Sequence, residues 1–164
     1  MKRKTTQYNT PDEISIPKVE EAIAPYYAFS STVFPFIDTQ TLIQHSRTGI
    51  PMQRIIKYMN LYDISLKEMA AILNLSERTL QRYNKEDILS KDASDRALHL
   101  QRLYTRGAEV FGTLDNFKNW MKSSILIFEN EKPISFLDTI FGFELLEQEL
   151  GRIEHGIFAL ILNY

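Results

Sequence analysis

Arg78, Gln81, Arg82 and Lys85 sit at the i, i+3, i+4, i+7 spacing that brings side chains to one face of a helix. They fall in the stretch ISLKEMAAILNLSERTLQRYNKEDILS, residues 64–90. Guanidinium and carboxamide groups in such an array have the donor geometry to read guanine and adenine edges in a major groove. Ser76, Thr79 and Lys85 are spaced to meet phosphates beside them. Glu77 is the discordant member, since phosphate repels it unless it accepts from a cytosine N4.

Positioning that face requires two short helices and a sharp turn. Ser65 and Glu68 form a capping box, with the hydroxyl on a first-turn N–H and the carboxylate returning to the cap's own N–H. The helix that starts there should bury Met69, Ala70 and Leu73, then meet Asn74, one of the few non-glycine residues that accepts positive φ. Leu75 should plug the angle between the helices. Ser76 should cap the second helix, with Leu80 and Tyr83 inward and Glu77, Arg78, Gln81, Arg82 and Lys85 outward. A small residue at the helix contact with a turn residue four positions later makes this a helix-turn-helix pattern. An αα-hairpin with solvated arginines would share most of it.

The composition bounds the remaining possibilities. The 164 residues are 44% hydrophobic and 24% charged, too apolar for a disordered chain. The chain has no cysteine, which excludes a disulfide scaffold and thiolate metal sites. The start is not that of a signal sequence and no apolar run approaches a membrane span, so a cytoplasmic protein without membrane contact is expected. The net charge of −2 conceals an asymmetry. Residues 1–92 hold 12 Lys/Arg and 11 Asp/Glu, whereas residues 129–164 hold two Lys/Arg and seven Asp/Glu. DNA contact therefore belongs to the first half, and the acidic end suits another kind of partner.

Along the chain, Pro11, Pro17 and Pro25 and a basic MKRK start mark residues 1–37 as a flexible arm. Helical punctuation then becomes regular. Asp38 or Thr39 should cap a helix to about Arg47 that Gly49 closes in the left-handed conformation, and Pro51 should open a helix burying Met52, Ile55, Ile56 and Met59. Ala93 to Phe111 reads as a long amphipathic helix, and Thr113 should cap another carrying Phe117, Trp120 and Met121. Two further helices are expected, from Pro133 to Gly142 and from Phe143 to His155, the second stopped by Gly156. Only Ser124–Phe128 and Ile157–Tyr164 look strand-like or irregular. The expected fold is mainly α, with a helix-turn-helix domain over 38–111 and a small helical domain over 112–164.

The order of Trp120, Pro133, Leu137, Gly142, Leu150, Arg152, Ile153 and Gly156 resembles the toxin-binding domain of Xre/MbcA/ParS antitoxins. The preceding ISLKEMAAILNLSERTLQRY and SDRALHLQRLYTRGAEVFG are similar to the Xre-type helix-turn-helix domain of the same family. The resemblance covers roughly residues 40–160. It implies a type II antitoxin that neutralises a RES-fold toxin acting on NAD by occluding its active site, that represses its own operon, and that is not itself an enzyme. It also implies operator DNA, the cognate toxin and a homodimer within a hetero-oligomer as partners. Carried over by position, Trp120, Pro133, Leu137, Gly142 and Ile153 correspond to fold determinants. Arg152, His155, Gly156, Ile157, Phe158, Leu160 and Tyr164 correspond to the end that approaches the toxin. The sequence departs from the family in two places: the proline-bearing arm has no assignment in the resemblance, and the tail IFALILNY is unusually apolar for a chain terminus.

No phosphate-cradling glycine loop, nucleophile elbow or His-rich metal spacing is present, so no catalytic set, metal or cofactor is expected. His45, His99 and His155 are scattered, and helical spacing should spread Glu144, Glu147, Glu149 and Glu154 around a solvated face. The competing reading is a dimeric helix-turn-helix regulator without a toxin partner. The apolar stripes Phe136, Leu137, Ile140, Phe141 and Leu146, Leu150, Ile153 exceed what one small module can bury, which implies a partner surface.

Overall fold

A computed structural model describes residues 38–156. The arm expected over 1–37 and the tail Ile157–Tyr164 lie outside the described residues.

Local signals set most helix starts. Asp38 caps α1 (Thr39–Thr48), its carboxylate accepting from the Thr41 N–H at 3.0 Å. Gly49 ends α1 at φ 78°, ψ 160°, which is positive φ but extended, and not the left-handed helical conformation expected. Pro51 precedes α2 (Met52–Tyr62). The inward face of α2 is Met52, Ile55, Tyr58 and Tyr62; Ile56 and Met59, expected inside, are only half-buried. The helix-turn-helix follows as α3 (Leu66–Ile72) and α4 (Glu77–Arg82). Next come α5 (Lys91–Phe111), capped by Ser90, and α6 (Leu114–Lys122), capped by Thr113.

The C-terminal third departs from its sequence reading. Leu126–Phe128 forms a 3-10 turn, not a strand, and Pro133–Asp138 forms a 3-10 helix. The α-helix expected from Pro133 to Gly142 does not form. The break falls at Thr139, whose side chain caps α7 (Ile140–Glu154) by accepting from the Gly142 N–H at 3.0 Å. Gly142 is therefore inside the first turn of α7 rather than a stop signal. Its value is close approach: a Cβ there would lie 1.7 Å from the Phe136 carbonyl oxygen. Gly107 does the same on α5, where a Cβ would meet the Phe117 ring at 2.5 Å.

The central helix α5 packs against α1, α2, α6 and α7, burying Ala97, Leu100, Leu103 and Tyr104. A chain of rings runs through the core: Tyr58, Tyr62, Tyr104, Phe117, Trp120, Phe128 and Phe136, with neighbouring centroids 4.1 to 6.1 Å apart. It crosses the division between Phe111 and Gly112 drawn from sequence. Polar ties cross it too. Arg96 Nη1 donates to the Ile72 carbonyl at 3.2 Å and the Asp138 carbonyl at 3.1 Å. Lys122 pairs with Asp63, and Arg106 ties α5 to α7 through Glu147 (2.7 Å) and Glu154 (3.3 Å).

Candidate functional site

The helix-turn-helix is built as its sequence requires. The Ser65–Glu68 capping box is complete, with the Ser65 N–H donating to the Glu68 carboxylate at 2.8 Å. Met69 and Ala70 are buried, and Asn74 turns the chain at φ 55°. Leu75 is half-buried between the helices. Ser76 caps α4, its hydroxyl accepting from the Thr79 N–H at 3.0 Å and lying 2.8 Å from the Thr79 hydroxyl. Leu80 anchors α4 in the core at 0% exposure, which leaves Glu77, Arg78, Thr79, Gln81 and Arg82 exposed on the opposite side.

Among the described residues no carboxylate pairs with Arg78 or Arg82, so both guanidinium groups are available to a ligand. Glu77 occupies the first position of α4, where a carboxylate interacts favourably with the helix N-terminus. That is a structural reason for an acid in an otherwise basic face.

Two expectations for this face need correction. Helix α4 ends at Arg82, so Lys85 lies in the following turn and Tyr83 is a half-buried cap residue. The reason is a competing set of hydrogen bonds. The Asp87 carboxylate takes the Asn84 N–H at 2.7 Å, and the Gln53 and Met52 N–H groups donate to the Lys85 and Asp87 carbonyls at 2.8 and 2.9 Å. This arrangement satisfies the open N–H groups of α2 and draws residues 85–87 off the helical path. Lys85 remains exposed beside α4.

The second surface lies on α7 and the 3-10 segments. Leu137 is fully buried, Pro133 and Gly142 are buried, and Trp120 and Ile153 are half-buried. Arg152 is exposed and donates to Glu149 Oε2 at 3.1 Å; His155 and Gly156 are exposed at the end of α7. Ile157, Phe158, Leu160 and Tyr164 lie outside the described residues. The acids do not form the uniformly solvated face expected of them. Glu149 is 1% exposed, and Glu147 is engaged by Arg106. Apolar surface is left over as expected, at Ile140 (45%) and Phe141 (79%), and also at Leu126 (83%) and Ile127 (42%). The last two escaped the reading of residue types. Their only signal in the sequence is the apolar run SILIF, which looks strand-like or irregular.

His99 lies with its ring 5.9 Å from that of Phe143, and burial together with nearby Arg102 lowers its pKa from the ordinary value. It is remote in sequence from the α4 arginines, and no described ligand set includes it.

Residues 41–102 match the model of the antitoxin Xre-like helix-turn-helix domain, and residues 106–156 match that of the antitoxin Xre/MbcA/ParS C-terminal toxin-binding domain. The chain belongs to the Xre/MbcA/ParS antitoxins. No curated protein matches it. As a family member it carries a DNA-binding helix-turn-helix and a toxin-binding domain in one chain, and both surfaces described above fall inside the matched segments. No described helix of this antitoxin is long and apolar enough to cross a membrane.

Proposed function

We propose that this antitoxin neutralises a RES-fold toxin that consumes or transfers ADP-ribose from NAD, by covering the toxin's NAD site. In this reading residues 38–111 bind the operator of its own operon and repress it, and residues 112–164 bind the toxin and contribute to a homodimer within the toxin–antitoxin assembly. Arg78, Gln81 and Arg82 read bases, Ser76, Thr79 and Lys85 hold phosphates, and Glu77 tunes base preference. Arg152, His155, Gly156 and the residues Ile157, Phe158, Leu160 and Tyr164 form the end that enters the toxin. The antitoxin performs no catalysis of its own and acts in the cytoplasm.

The observation that carries this reading is the pairing of an exposed face, whose Arg78 and Arg82 have no carboxylate partner among the described residues, with a module of a toxin-binding family, joined through the core helix α5. The test is to co-express the chain with the product of the adjacent reading frame and follow cellular NAD and co-purification. Full-length antitoxin should give a stable complex and constant NAD. Deleting Ile157 to Tyr164 should release NAD depletion while operator binding persists. Constant NAD with the frame expressed alone removes the NAD-directed toxin; loss of operator binding on deletion makes the tail part of the fold.

A further inference from the structure

The toxin-binding module buries a carboxylate that the fold does not satisfy. Glu149 on α7 is 1% exposed, its Oε2 accepts from Arg152 one turn on, and its Oε1 has no hydrogen-bond partner among the described residues. An unsatisfied buried oxygen of a carboxylate is costly, and a neutral side chain of similar volume would pack α7 without that cost. Packing of α7 alone does not account for that oxygen.

Glu149 lines a cavity of about 360 Å³ bounded by α7 and the two 3-10 segments. Ile127, Phe128, Phe136 and Leu145 supply apolar wall, and the charged groups are Glu129, Glu131, Glu149 and Arg152. Three acids face one base, and that base is already bonded to Glu149. An apolar sleeve with an acidic lining fits a cation carried on an alkyl stem, which is the build of lysine and arginine. A small free amine would leave the surroundings unused. Leu126, next to the lining residue Ile127, is 83% exposed, and a protein partner is what covers such a rim.

We infer that this cavity receives a lysine or arginine side chain of the toxin, anchored by an ion pair to Glu149. The inference rests on the toxin-binding reading of the module, whose matched segment contains every residue lining the cavity. The toxin thus inserts into the antitoxin here, in addition to any antitoxin segment that enters the toxin.

Two measurements on the full chain test it. In the first, calorimetry compares toxin binding by the wild type and Glu149→Gln, which keeps size and one acceptor oxygen and removes the charge. Affinity should fall on the order of 30-fold or more, with no lowering of the free chain's melting temperature. In the second, the 15N-labelled chain is titrated with n-butylguanidinium chloride, n-butylammonium chloride and n-butanol. Saturable amide shifts at Ile127, Phe136 and Leu145 should follow either cation and not the alcohol, and should vanish in Glu149→Gln.

Unchanged toxin affinity of Glu149→Gln overturns the inference and leaves the toxin-binding reading standing. A wild-type chain that binds no toxin overturns that reading and the assignment of the occupant with it. Loss of self-association in toxin-free Glu149→Gln assigns the cavity to a second copy of this chain, which also overturns the inference. If Glu149→Gln does not fold, the wild-type titration decides: shifts as large with butanol as with the cations, or none that saturate, refute a cationic site.

Discussion

Replacing glycine by alanine at two positions of α7 should move stability in opposite directions. In the interior of a helix, Gly→Ala gains about 1 kcal/mol from reduced backbone freedom in the unfolded chain. At Gly142 that gain meets a collision. The new Cβ would lie 1.7 Å from the Phe136 carbonyl oxygen and 2.5 Å from its carbon, and real Cβ atoms essentially never come within 3.0 Å. Both obstacles are backbone, so no rotamer change relieves them. Either α7 or the Pro133–Asp138 helix must move, which weakens the Thr139 cap on the Gly142 N–H. Overpacking of this kind costs about 1–3 kcal/mol or more, and losing the cap adds about 1 kcal/mol, so the net change for Gly142→Ala is a loss of about 1–3 kcal/mol. At Gly151 the nearest atom to a new Cβ is Arg106 Nη2 at 3.4 Å, the far end of a flexible side chain. Gly151→Ala should therefore be neutral or up to about 1 kcal/mol stabilising. Urea and thermal unfolding of the two variants measure the difference, with about 2–4 °C in Tm for each kcal/mol. A Gly142→Ala chain as stable as wild type would refute the close packing of α7 on the 3-10 helix.

Other outcomes follow from the same structure. Arg78→Ala and Arg82→Ala should each cost about 1–3 kcal/mol of operator affinity and relax base preference, whereas Lys85→Ala should weaken all sequences alike and lower the salt slope by about one; filter binding on operator and scrambled DNA separates the two cases. Arg96→Ala removes both carbonyl bonds that join the end of α3 to the end of the 3-10 helix, so amide exchange should speed up together in residues 72–76 and 138–142; faster exchange on only one side would show that Arg96 does not tie them. His99 has its pKa lowered by burial and by Arg102, so its protonation opposes the folded state. Its contribution is present above about pH 6.5 and is lost as pH falls through the lowered folded value, so acid should destabilise the wild type more than His99→Gln over that window. Equal acid sensitivity in paired melting curves would remove His99 from the account.

What the sequence by itself determined are features whose causes lie within four residues of chain. The Asp38, Ser76 and Thr113 caps, the Ser65–Glu68 box and the positive φ at Asn74 are all formed from neighbouring atoms, so residue types at fixed spacing suffice to predict them. The α4 face was legible for the same reason: once Leu80 points inward, helical geometry sends Arg78, Gln81 and Arg82 outward. Tertiary structure decided the features that depend on which distant element covers a face. Gly142 reads as a stop from its neighbours, and only the Phe136 carbonyl packed against it shows a close contact inside α7. Tyr58 and Tyr62 displaced Ile56 and Met59 from the core because the ring of Tyr104 on α5 stacks there. Lys85 left α4 because the open N–H groups of α2, more than thirty residues earlier, took its backbone carbonyl and that of Asp87. Glu149 has the spacing of a solvated acid, and its burial beside a cavity exists only because the two 3-10 segments fold over α7. Periodicity states which residues share a face; burial and unmet hydrogen bonds are set by what lies across from it.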